Sequence, residues 1–91
     1  MINSIVQDLA AEQCFLCGRT TNLELHHIMH GVANRRWATR FGLLCWLCAP
    51  CHRLVHCDAM TNKRLQQHAQ RAFERTHTRQ EWMNVFRKNY L

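Results

Sequence analysis

The sequence predicts a small α+β domain held together by a bound metal ion. Three observations predict it. The chain has only 91 residues, and a domain of that size buries roughly 60–65% of its unfolded surface, a marginal core that usually needs a staple. It carries six Cys and seven His, the residue types that build one. Its apolar pattern holds two short strand-like runs, followed by helical periodicity through the C-terminal half.

The elements follow in order. Residues 3–12 predict a short amphipathic helix, capped by Asn3 or Ser4, with Ile5, Val6, Leu9 and Ala10 on one face. Residues 14–21 form a Cys-rich turn around Gly18. Leu23 to Ile28 alternate at first and predict a strand. Residues 30–42, with Gly31, Asn34 and Gly42, read as a loop. The apolar run 43–47 predicts a second, buried strand. Pro50 suits the first turn of a helix running from Cys51 to about Cys57. A further helix is expected from about Thr61 to His77, with Leu65, Ala69, Ala72 and Phe73 inward and Gln66, Gln67 and Gln70 outward. Thr78 and Glu81 have the spacing of a capping box and start a last helix, which buries Trp82, Val85, Phe86 and Tyr90. No repeat or linker interrupts the chain, so residues 1–91 are expected to be one domain.

Composition excludes several classes. Hydrophobic content of 47% is too high for a disordered tail. No apolar run approaches 18 residues, so no membrane span is expected. The N-terminal stretch, with Asp8 and Glu12, lacks the basic start and long apolar run of a signal peptide. A reducing, cytoplasmic compartment is therefore expected, where cysteines are more often metal ligands than disulfides. The formal net charge is +6, a balance that suits a polyanionic partner. It is uneven: residues 52–91 carry eight Lys and Arg against three acidic residues.

Cys14-Phe-Leu-Cys17 and Cys48-Ala-Pro-Cys51 are both C-x-x-C, and the second begins 31 positions after Cys17. Two intervening residues make a tight turn that brings both sulfurs to one ion. Two such pairs can close a four-thiolate tetrahedron around Zn²⁺ and contribute folding free energy directly. Three disulfides would require an oxidising compartment. Cys48-Ala-Pro-Cys51-His52 also matches the haem-attachment signature, which requires export and leaves Cys14 and Cys17 without a role. Cys45 reads as a small buried residue and Cys57 as a spare ligand.

His52 and His56 lie at i and i+4 on the helix that follows Cys51, so both project from one face and can share a metal. His26 or His27, at the end of the first strand, can complete a triad and leave the other free for proton transfer. His30, His68 and His77 are given no chemistry.

Cys14-x-x-Cys17, Leu25-His26-His27-Ile28 and Leu47-Cys48-x-x-Cys51-His52-x-x-x-His56, taken together, resemble the HNH endonucleases, the zinc-containing ββα-metal nucleases. The likeness covers residues 14–56, and the tail resembles small phage or prophage proteins with such a core. The resemblance implies a treble-clef-like ββα-metal core over 14–57, an antiparallel hairpin packed on a helix with the metal between. Residues 58–91 would be a helical extension. It implies that Cys14, Cys17, Cys48 and Cys51 hold structural Zn²⁺. It makes His26, His52 and His56 ligands of a catalytic divalent metal (Mg²⁺, Mn²⁺, Ni²⁺ or Zn²⁺) and His27 the general base.

On this reading the partner is DNA, with RNA as the alternative substrate, in a bacterial or phage-infected cell. Arg35, Arg36 and Arg40 are candidates for phosphate contacts, and Trp37 anchors their segment. One position departs from the family: its middle Asn falls at Leu43, with Asn34 nearby as a substitute. That departure favours the alternative, a non-catalytic zinc-stabilised module that binds nucleic acid or protein.

Overall fold

The computed structural model describes residues 3–91. A single 3₁₀ turn (Leu9–Ala11) precedes strand β1 (Leu23–His27), helix α1 (Val32–Phe41), strand β2 (Leu44–Cys48) and helices α2 (Ala49–Cys57), α3 (Ala59–Phe73) and α4 (Arg79–Phe86). The strands pair antiparallel, with Leu25 opposite Trp46 and His26 opposite Cys45. The result is a small α+β fold in which α2 packs across both strands. Among the described residues no helix is long and apolar enough to cross a membrane.

β2 is apolar along its whole length because it is covered on its faces and on its outer edge. Ser4 Oγ donates to the Leu44 carbonyl, and the Trp46 N–H donates to Gln7 Oε1 at 2.8 Å. The Phe15 N–H reaches the Trp46 carbonyl at 2.8 Å. These bonds correct the expected N-terminal helix over 3–12. Helix formation there loses to pairing with β2, whose edge would otherwise leave backbone groups unsatisfied. Ser4 caps a local turn through Val6 and Gln7, and only Leu9–Ala11 coils, capped by Asp8.

Residues 30–42 are also corrected, from loop to the ten-residue α1. The two glycines that suggested a loop are the helix ends. Gly31 is the N-cap at φ 102°, and Gly42 is a left-handed C-cap at φ 69° whose N–H returns to the carbonyls of Ala38 and Thr39. A Cβ on Gly42 would also lie 3.0 Å from the Asn3 carbonyl oxygen. Helix α1 is mostly exposed. It buries Ala38 and rests Trp37 and Phe41 against the core.

The second strand and α2 agree with the sequence reading; α2 starts at Ala49, with Cys48 as N-cap and Pro50 in the first turn. Helix α3 is displaced from the expected 61–77. Asp58 ends α2 and caps α3, its carboxylate accepting from Thr61 Oγ1. The capping box at Thr78 and Glu81 is formed as expected. Trp82, Phe73 and Leu65 are fully enclosed, and Val85 and Tyr90 pack partly buried beside them.

The outward placement of the glutamines is corrected at Gln70, while Gln66 and Gln67 are half-buried. Gln70 is buried, and its Nε2 donates to Glu74 Oε2 (2.7 Å) and Asn89 Oδ1 (2.8 Å) while its Oε1 accepts from the Tyr90 N–H (2.8 Å). Gln67 Nε2 donates to the Tyr90 carbonyl from the same side. A periodicity argument places polar residues outside; here the polar group is what the C-terminal segment docks onto. Gln70→Ala should therefore lower stability by about 1–3 kcal/mol, the cost of leaving the Tyr90 amide unpaired. Gln80→Ala, on the exposed side of α4, should change it by less than about 0.5 kcal/mol in the same denaturant titration.

Candidate metal centre

Cys14, Cys17, Cys48 and Cys51 come together, with their four sulfurs all within 4.8 Å of one another. The first pair sits on a knuckle closed by Gly18 N–H to the Cys14 carbonyl and Cys14 N–H to the Arg19 carbonyl. The second pair straddles the junction of β2 and α2. Cys48 is the last strand residue and the helix N-cap, and Cys51 lies in the first turn. The Cys17 and Cys48 sulfurs are 3.6 Å apart. A tetrahedron with Zn–S bonds of ~2.3 Å has an edge of ~3.8 Å, whereas a disulfide would place sulfurs ~2.0 Å apart. The quartet is therefore dimensioned for a structural metal ion such as zinc.

Burial alone pushes the Cys14 thiol up, but backbone hydrogen bonds at Cys48, Cys17 and Leu16 outweigh it and lower the group from 9.0 to about 6. Burial and the hydrogen-bonded thiols around it push Cys51 the other way. Four thiolates this close repel one another, and a dication among them would offset that repulsion. Cys45 lies outside the quartet, and burial, with Cys14 nearby, pushes its thiol up to about 12. It is core, as its apolar setting predicts. Cys57 is exposed and also outside the quartet.

A second cluster is built from β1 and α2. The imidazoles of His26, His52 and His56 have nitrogens within 4.8 Å of one another. His26 comes from β1, and the other two from successive turns of α2. Their ring centroids are 5.1 Å apart for His26–His52, 5.9 Å for His26–His56 and 5.0 Å for His52–His56. His26 is buried, and its Nε2 has no hydrogen-bond partner. Burial, then the neighbouring histidines, drives its pKa down to about 3. At neutral pH it is an uncharged imidazole with an unmet nitrogen, grouped with two further imidazoles in a donor set that a borderline divalent metal can take.

Sequence reasoning missed two members of this site. Glu24 Oε1 accepts from His52 Nδ1 at 2.6 Å. This carboxylate–histidine contact fixes the ring and leaves Nε2 for the cluster. The signal was present, since Glu24 is two residues before His26 and shares its strand face. His30, given no chemistry from sequence, has its ring 6.2 Å from His26 and 5.9 Å from His56.

His27 points to the opposite face from His26, toward α1, where its Nε2 lies 3.1 Å from Thr39 Oγ1. Even so, both histidines line one open pocket of about 300 Å³, together with His30, Val32, Arg35, His52 and His56. Of the three candidate arginines only Arg35 reaches this pocket. Arg36 and Arg40 lie over the Trp37 ring, 5.3 and 5.7 Å from its centroid. Trp37 itself stacks on Phe41 and packs against the core, as an anchor does.

The purified chain should hold one tightly bound zinc on sulfur. Stripping it with a chelator should abolish the cooperative thermal transition, and Cys48→Ser should do the same. Cys57→Ser should shift Tm by no more than about 3 °C. No family model, curated protein or solved structure matches this chain.

Proposed function

We propose that the chain is a metal-dependent endonuclease of the HNH type that hydrolyses DNA phosphodiester bonds. The observation that carries the reading is the convergence of His26, His52 and His56, with an unmet nitrogen among them, beside a fourth histidine, His27, that opens onto the same pocket. A divalent cation held by the three imidazoles would act as a Lewis acid toward the scissile phosphate and its leaving 3′-oxygen.

The protein's own groups supply the rest. His27 is the general base. Burial and the neighbouring Arg35 lower its pKa, so it is neutral near pH 7 and can take a proton from water. The water oxygen bonds to phosphorus as the bond to the 3′-oxygen breaks. Arg35, on the rim of the same pocket, is placed to meet a non-bridging phosphate oxygen. Glu24 holds His52 in its ligand orientation. The chain's formal net charge of +6 favours approach of a polyanion.

A second reading has one observation in its favour. Leu43, at the position of the family's middle Asn, is completely buried, and its side chain offers no hydrogen bond. A non-catalytic zinc-stabilised binding module needs none.

Nicking of supercoiled plasmid separates the two. The chain should nick with added Mg²⁺ or Mn²⁺, and His27→Ala should slow nicking by at least about 100-fold with zinc content and DNA binding unchanged. DNA binding with no cleavage under any divalent ion would leave the binding module. Arg35→Gln should weaken DNA binding and flatten its salt dependence by about one phosphate contact.

A further inference from the structure

Helix α1 presents a hydroxyl to the imidazole that the nuclease reading makes the base. Thr39 Oγ1 is 3.1 Å from His27 Nε2 and 3.2 Å from the Arg35 carbonyl oxygen one turn back. A threonine has one hydroxyl proton. Within a helix that proton is commonly given to the carbonyl four residues earlier, which here is Arg35. The Thr39 oxygen is then left with lone pairs only, and toward His27 it accepts.

We infer that Thr39 is a positioning residue, holding His27 in the tautomer with the proton on Nε2 so that Nδ1 carries the free lone pair. In the cleavage step, which rests on the reading above, Nδ1 takes the proton from water, and Nε2–H continues to donate to Thr39. The hydroxyl also fixes the plane of the ring, which sits at the end of β1 with no other side-chain hydrogen bond among the described residues. The Thr39–His27 contact thereby supplies an orienting contact that Leu43 does not. The hydroxyl is uncharged and exposed, so its contribution is a modest part of the total base effect.

The test uses the full zinc-loaded chain and the pair Thr39→Val and Thr39→Ser. Valine keeps the branched shape at an exposed helical position, so folding is retained, and thermal melts check it. Two-bond ¹H–¹⁵N imidazole spectra read the tautomer of His27 directly, without catalysis. The wild type should show the Nε2–H form, Thr39→Val a mixture of both forms, and Thr39→Ser the wild-type pattern. With Mg²⁺ and plasmid, Thr39→Val should lower kcat about tenfold at unchanged KM, and Thr39→Ser should restore it.

A wild-type His27 protonated on Nδ1, or a Thr39→Val spectrum identical to wild type, overturns the inference whatever the activity. A wild type that cleaves nothing overturns the nuclease reading instead, while the spectra still decide what Thr39 does.

Discussion

Cys48 is one residue with three duties, and the fold turns on it. It ends β2, caps α2 and contributes a sulfur to the quartet. Joining the Cys14–Cys17 knuckle to that point fixes where α2 begins and how it is rotated about its axis. A helix turns ~100° per residue, so the rotation set at Cys48 and Cys51 also sets the direction of His52 and His56. The sulfur cluster and the imidazole cluster are thus one geometric arrangement read at two places on a single helix. Loss of the first would leave the second without a reason to converge on His26.

The supporting polar contacts follow the same logic of pairing before burial. β2 runs through the centre of the molecule, and its outer edge is satisfied by Ser4, Gln7 and Phe15 rather than by a third strand. Gln70 does a similar job at the far end, taking the Tyr90 amide and Asn89 onto a buried side chain. In a chain this small, each such bond replaces apolar area that the core does not have.

Much of this was readable in the sequence, and the failures share a cause. Both strands, α2, the capping box of α4, the cysteine quartet and the His52–His56 pair follow from local spacing, because C-x-x-C turns, i, i+4 pairs and strand alternation are short-range geometry; spacing left His26 and His27 equally open as the third imidazole. The readings that failed needed a distant partner. Residues 3–8 have a helical pattern but are claimed by β2, some forty positions away. Gly31 and Gly42 look like loop signals, but their left-handed or open backbone closes the ends of a helix between them. Gln70 is polar by type and buried because the C-terminal segment returns to it. Glu24 was accessible to alternation alone. Thr39 was not, since its contact with His27 required α1 to be recognised as a helix first.

The two histidines of the doublet are chain neighbours but mechanical strangers. His26 faces α2, its ring 5.1 Å from that of His52; His27 is hydrogen-bonded to α1, which rests on the core through Trp37, Ala38 and Phe41 and is bounded by a glycine at each end. Adjacent positions therefore face separate helices, α2 for the first and α1 for the second. Substitutions along α1 can therefore alter the surroundings of the second imidazole without touching those of the first, so a single dipeptide gives this tiny scaffold two faces open to separate change.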